Sequence, residues 1–236
     1  MDLTACQCNI QDFQNFIEGK TVAIVGPAAT LESSHLGSEI DKYEVVCRLN
    51  HHLADSSKMV EDYGSRNDIV FSGPNLIYCH YDILEKVQPK FICFPRSNSS
   101  DPNYYRGMIS HIRKDHPNIQ CFHIGNEFAN SVEAQMGTSP NTGLLAICFL
   151  LTMPIKKLFV AGFDFYQNKK IYLKSVNSKH NQEIKKNGFI KHHMEHDLEY
   201  HLKYFSSIYE ENRELLHIDD KLSNILSNFK LIKTKD

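Results

Sequence analysis

The stretch Thr142–Asp164, TGLLAICFLLTMPIKKLFVAGFD, decides the fold. An apolar run of helix length, Thr142–Thr152, leads directly into KLFVAGFD (157–164), a short β-branched and aromatic run that reads as a buried strand ending in glycine. The same alternation extends toward the N-terminus. TVAIVG (21–26), YEVVCRL (43–49), DIVFSG (68–73), KFICFP (90–95) and QCFHI (120–124) read as five further strands, with helical patterns at Asn75–Val87 and Tyr104–Lys114. Strands alternating with helices predict an α/β fold, a Rossmann-like, mostly parallel sheet with helices on both faces. Ligands of such sheets bind beyond the carboxyl ends of the strands, where Gly26, Asn50, Ser72-Gly73, Pro95-Arg96 and Gly162–Tyr166 emerge.

Composition agrees with one globular unit. The 236 residues are 42% hydrophobic, enough to bury a core, and no repeat or low-complexity stretch interrupts them. A formal net charge of −2 gives no reason to expect a nucleic-acid partner. Four of the seven cysteines, Cys47, Cys93, Cys121 and Cys148, lie in apolar runs as small hydrophobes, which favours a reducing compartment. The first 20 residues have no basic or apolar leader pattern, and the longest apolar run, Leu144–Met153, is about half a membrane span. The expectation is a soluble, cytoplasmic chain, membrane-peripheral at most, with no transmembrane segment and compatible with a homo-oligomer. A fragment of an anchored protein would read the same.

The single domain 1–236 divides into a core at about 20–166, a loop at about 167–190 and a helical part at about 191–236. The loop is polar, Lys- and Asn-rich and longer than ordinary connections, a candidate lid or acceptor loop or an insertion without a role. Beyond it, Leu198, Leu202, Phe205 and Tyr209 form the stripe of an amphipathic helix.

Five segments can carry chemistry. Gly26 ends a strand and is followed by small residues, Pro27 and Ala28, so a nucleotide can approach the backbone or the turn can be merely tight. Neither G-x-G-x-x-G nor G-K-[ST] is present, which disfavours dehydrogenase and P-loop ATPase chemistry. Arg48 and Asn50, one pleat apart, are candidates for phosphate or ribose contact or satisfied surface groups. Ser139-Pro140-Asn141-Thr142-Gly143 opens the apolar helix with hydroxyl, amide and backbone N–H groups, an anion-accepting corner or a plain cap. GFDFYQNKKIY (162–172) presents the phenols of Tyr166 and Tyr172, which can donate to a leaving phosphate. His192-His193-Met194-Glu195-His196-Asp197 offers a general base. The same run also spells H-x-x-E-H through His192, Glu195 and His196, an inverted zinc-protease pattern without a persuasive third ligand.

Taken together these segments resemble sialyltransferases, above all the small bacterial enzymes that sialylate lipooligosaccharide. LFVAGFDFYQN (158–168), with Tyr172 six residues beyond Tyr166, is very similar to that family's phosphate-contacting segment. VAIVGPAATLESSHLGSEIDKYEVVCRLN (22–50) resembles the long donor-binding motif of animal sialyltransferases, with landmarks at Gly26 to Leu31, Glu39 to Asp41 and Arg48 to Asn50; TGLLA (142–146) is similar to their short motif. The resemblance implies a variant GT-A-like domain that transfers sialic acid from CMP-Neu5Ac to a terminal sugar hydroxyl such as galactose of a glycan acceptor, with inversion and without metal or other cofactor. It implies His192 as the base, with His193 and His196 as neighbours able to replace it, and Tyr166 and Tyr172 on the departing phosphate. It implies donor contacts among Gly26, Ala28, Asn50, Ser72, Asn141, Thr142, Gly143, Gly162, Asp164 and Phe165.

Two departures stand out. Pro27 replaces an asparagine after the first glycine, and Ser139 falls where the bacterial family has an arginine, so a phosphate contact and a charge are missing or relocated. Another CMP-activated acidic sugar such as Kdo, a non-catalytic nucleotide- or glycan-binding relative, and a zinc hydrolase remain as alternatives.

Overall fold

The computed structural model describes residues 10–50, 52–53, 59–73, 83–96, 102–165 and 198–233. Seven strands form one sheet: β1 (Thr21–Val25), β2 (Val45–Leu49), β3 (Ile69–Phe71), β4 (Phe91–Phe94), β5 (Gln120–His123), β6 (Lys157–Ala161) and β7 (Leu216–Ile218). Their order is β5-β4-β3-β2-β1-β6-β7, and every pairing is parallel. The six strands expected from apolar runs are all present. β7 is a three-residue edge strand whose central His217 is exposed, too short and too polar for a periodicity reading.

The helices are α1 (Ile10–Ile17), α2 (Gly37–Ile40), α3 (Val60–Tyr63), α4 (Pro102–Asp115), α5 (Asn126–Met136), α6 (Thr142–Leu151), α7 (Leu198–Glu211) and α8 (Asp220–Lys233). The helix expected over Asn75–Val87 is described only at 83–87. Alternate strand residues face opposite sides. Ile24, Cys47, Phe71, Cys93, Phe122 and Val160 pack in one cluster with side chains of α1, α5, α6, α7 and α8. Their sequence neighbours Val25, Val46, Ile92 and Ala161 face the other side, where α3 and α4 supply Tyr63, Ile109 and Ile112. Both faces are therefore covered, as a parallel sheet requires.

α6 is apolar all round because it lies inside the first cluster: Gly143 through Leu150 are all buried. Phe149 sits at its centre, its ring centroid 5.7 Å from Phe13, 6.1 Å from Phe122 and 5.8 Å from Phe128. The four cysteines Cys47, Cys93, Cys121 and Cys148 are free and buried, as small hydrophobes should be. Among the described residues no helix is long and apolar enough to cross a membrane.

The chain runs outward from β1 through β2 to β5, then crosses back to place β6 on the other side of β1. The switch point thus lies between the carboxyl ends of β1 and β6, where a doubly wound sheet opens its crevice.

Candidate active site

At the switch point the two strand ends are locked to each other. The Gly26 N–H donates to the Ala161 carbonyl (2.8 Å) and the Ala28 N–H to the Gly162 carbonyl (3.0 Å). A Cβ on Gly26 would lie 2.3 Å from the Gly162 oxygen. Gly162, at φ +70°, would place a Cβ 2.5 Å from both the Gly26 oxygen and Leu31 Cδ1. The room that Gly26 suggests for a nucleotide is thus filled by the chain itself, and both glycines answer this crossing first.

One strand over, Asn50 adopts φ +52°, a left-handed conformation that asparagine tolerates. Its N–H donates to the Phe71 carbonyl (2.8 Å), and its Oδ1 accepts from the Gly73 N–H (3.0 Å). Asn50 therefore ties the ends of β2 and β3 together and is half-buried. Ser72 is fully buried, and its hydroxyl donates to the Gly73 carbonyl (2.6 Å), so its side chain is committed to the turn.

Arg48 corrects the sequence reading, which set it beside Asn50 as a phosphate or ribose contact or a surface group. It is fully buried on the opposite face: its guanidinium stacks 4.2 Å from the Tyr63 ring centroid, and Nε donates to the Arg66 carbonyl (2.9 Å). Strand alternation sends Arg48 under α3, and the left-handed turn at Asn50 breaks the register that would have kept the two together.

The start of α6 closes the crevice. Asn141 is the N-cap, its Oδ1 accepting from the Leu144 N–H (2.8 Å). The Leu145 N–H donates to the Asn141 carbonyl (3.1 Å). Among the described residues the N–H groups of Thr142 and Gly143 have no partner, leaving two donors at the positive end of a ten-residue helix. Gly143 lets this end approach the strands: a Cβ there would lie 2.8 Å from Phe163 Cε1 and 3.1 Å from Leu49 Cδ1. The corner at Asn141–Gly143 thus stands against the residues beside Asn50 and Gly162.

Arg96, at the end of β4, donates from Nη1 to the Ser139 hydroxyl (2.7 Å) and from Nη2 to the Glu133 carboxylate of α5. Ser139 is the position where a charge was expected to be missing or relocated. A guanidinium stands beside it, brought by a residue 43 positions away.

Behind β6, Asp219 accepts from the Gly162 N–H through Oδ2 and from the Leu222 N–H through Oδ1, each at 2.8 Å, so one carboxylate caps α8 and anchors the turn after β6. Burial raises its pKa above the ordinary 3.8, while these backbone donors work in the opposite direction. Asp164 and Phe165 are buried; Phe165 holds φ +46° and packs on Phe205 of α7 with ring centroids 5.0 Å apart. Phe165 is thus a packing anchor, strained in backbone and fixed by aromatic contact, rather than a side chain presented to a ligand.

His201 of α7 was not singled out in the sequence. It is fully buried, and its Nε2 accepts from the Asn141 N–H (3.1 Å). Tyr166, Tyr172, His192, His193 and His196, the lid at 167–190 and the H-x-x-E-H run lie outside the described residues. Among the described residues no group of three or more His, Cys, Asp or Glu side chains is placed to hold a metal ion.

The model of glycosyltransferase family 29 (sialyltransferase) matches residues 11–116, somewhat under half of the chain. No curated protein matches in sequence. A mammalian sialyltransferase in complex with Gal-beta-1-3GalNAc-ortho-nitrophenol is similar in structure, with TM-score 0.56 and 15% identity, over 87% of this chain and 71% of that one. The sialyltransferase CstII from Campylobacter jejuni, solved with cytidine-5'-monophosphate, has TM-score 0.53 and 16% identity over 85% of this chain and 80% of its own. A further mammalian sialyltransferase structure has TM-score 0.54 and 15% identity, over 92% and 79%. The resemblance read from the sequence and the parallel α/β architecture therefore agree with independent matches. Residues 11–116 thus carry the pattern of the family 29 sialyltransferase model, and the fold is the one seen in sialyltransferase structures.

Proposed function

We propose that this chain transfers sialic acid from CMP-Neu5Ac to a terminal hydroxyl, galactose-type, of a glycan acceptor, with inversion and without a metal. The observation that carries the reading is the corner at Asn141–Gly143, whose Thr142 and Gly143 N–H groups, without a partner among the described residues, stand against the ends of β2 and β6 at the switch point. A nucleotide with a phosphate suits such a corner, and cytidine-5'-monophosphate is the analogue bound to the Campylobacter relative.

In this mechanism the acceptor oxygen attacks the anomeric carbon as the bond from that carbon to the phosphate oxygen of CMP breaks. His192 takes the acceptor proton, and the negative charge accumulates on the departing CMP phosphate. Tyr166 and Tyr172 donate to that phosphate, each bond to a charged group contributing about 1.5–3 kcal/mol. Attack opposite the leaving group inverts the centre. The half-buried Asn50 and Thr142 are the donor contacts with open approach, while Gly26, Ala28, Ser72, Gly143, Gly162, Asp164 and Phe165 shape the crevice from beneath.

The test is release of CMP from CMP-Neu5Ac in EDTA, with and without galactose-terminated acceptors, for the wild type, His192→Ala and Tyr166→Phe. Acceptor-stimulated release that falls by about 10²–10⁴ in His192→Ala supports the assignment. Release that needs added metal, or that survives in His192→Ala, contradicts the corresponding step. Absence of both release and CMP binding overturns the donor.

A further inference from the structure

The proposed donor corner depends on a bond made from outside it. Asn141 must hold extended backbone angles, φ −74° and ψ 165°, for its side chain to cap α6. Its Oδ1 is used by Leu144, and its own N–H points away from the helix, to His201 Nε2. A backbone N–H only donates, so Nε2 is the acceptor and the imidazole is the neutral form with its proton on Nδ1. His201 is fully buried on α7, the helix whose Leu202 and Phe205 lie in the core, so the ring has little freedom to move. The same helix braces the other side of the crevice, through Phe205 on Phe165.

We propose that His201 is a positioning residue: by accepting the Asn141 N–H it fixes the cap of α6, and with it the direction of the Thr142 and Gly143 N–H groups toward the donor phosphate. The inference rests on the reading of the Asn141–Gly143 corner as the donor site. A bond across 60 residues makes α7, which follows the segment carrying the candidate base, part of the donor site's frame. Without the acceptor, a half-buried N–H loses its partner or the cap turns to find another, and either change misdirects the two donors.

The experiment compares wild type, His201→Leu and His201→Gln, whose Oε1 reaches about as far as Nε2. Leu226→Ala in α8 serves as a destabilised control away from the corner. Three quantities are read: CMP affinity by calorimetry, donor KM and kcat in the release assay, and amide hydrogen exchange of residues 139–145. The expected result for His201→Leu is CMP binding weakened about tenfold, a matching rise in donor KM with kcat changed less than threefold, and faster exchange at 139–145. His201→Gln returns all three to within about threefold of wild type. Should the leucine variant not fold, His201→Asn, whose shorter amide falls short of the Asn141 N–H, takes its place with the same expectation.

Unchanged affinity and exchange in His201→Leu overturn the proposal, as does an equal KM rise in Leu226→Ala at matched loss of Tm. If the wild type itself neither binds CMP nor releases it, the donor reading fails. The exchange data then decide His201 alone: faster exchange in Leu but not Gln supports its hold on the corner, and equal exchange refutes it.

Discussion

Replacing Asp219 with alanine removes two hydrogen bonds that serve different parts of the molecule. Oδ1 caps α8 through the Leu222 N–H, and loss of such a cap costs about 0.5–2 kcal/mol. Oδ2 holds the Gly162 N–H, which in the variant is left buried without its partner at a cost of about 1–3 kcal/mol. Together the expected destabilisation is about 3 kcal/mol, partly offset because a buried carboxylate no longer has to be desolvated. For a chain of this length that lowers Tm by roughly 6–12 °C. Asp219→Asn separates the two bonds, because its single carbonyl oxygen serves one N–H while its NH2 group faces the other, donor against donor.

The carboxylate also gives a pH signature of known sign. Its folded pKa is raised above 3.8 by burial, so the folded state holds the proton more tightly than the unfolded state. Its contribution to stability is therefore greatest at low pH, declines as pH rises from the ordinary carboxylate value through the raised one, and is flat above that. Urea unfolding of wild type and Asp219→Asn across this range reads the difference: the wild type loses stability relative to the variant as pH rises. A Tm drop in Asp219→Ala below about 2 °C, or a wild-type advantage that grows with pH, refutes the reasoning.

Two further substitutions test the geometry. Gly26→Ala drives a Cβ to within 2.3 Å of the Gly162 oxygen and is expected to cost roughly 3 kcal/mol in urea unfolding, whereas a spacious glycine turn predicts no change. Arg48→Met removes a buried charge whose Nη1 and Nη2 find no hydrogen-bond acceptor among the described residues, and keeps a flexible side chain against Tyr63. Unfolding free energy within about 1 kcal/mol of wild type and CMP affinity within threefold are expected; a tenfold loss of CMP binding would restore Arg48 to the ligand.

The strands β1 to β6 were legible because each is a short apolar run buried on both faces, and burial on both faces leaves no polar alternation to obscure it. That the run Ser139–Gly143 opens a helix was legible too, since helix starts are a local matter; that Asn141 is the residue whose side chain caps it came from the structure. The helices α1, α5 and α8 went unnamed because their stripes are short or mixed with polar residues, and β7 because three residues hold no period. Arg48 was misplaced because the sequence shows a charge but not that Tyr63, fifteen positions on, turns its ring beneath it.

The amino-acid sequence by itself determined the class of sheet, the edge on which the crevice opens and the family resemblance, because apolar period, chain direction and motif spacing are local properties carried by neighbouring residues. Tertiary structure alone decided that Gly26 and Gly162 cross back to back, that Arg96 brings its charge to Ser139, that His201 holds the Asn141 corner and that Asp219 holds the turn after β6. These pairings join residues 43 to 136 positions apart. Nothing in a local pattern specifies which distant partner a group will meet; that is settled only when helices pack on the sheet and every buried N–H and carbonyl must find a partner.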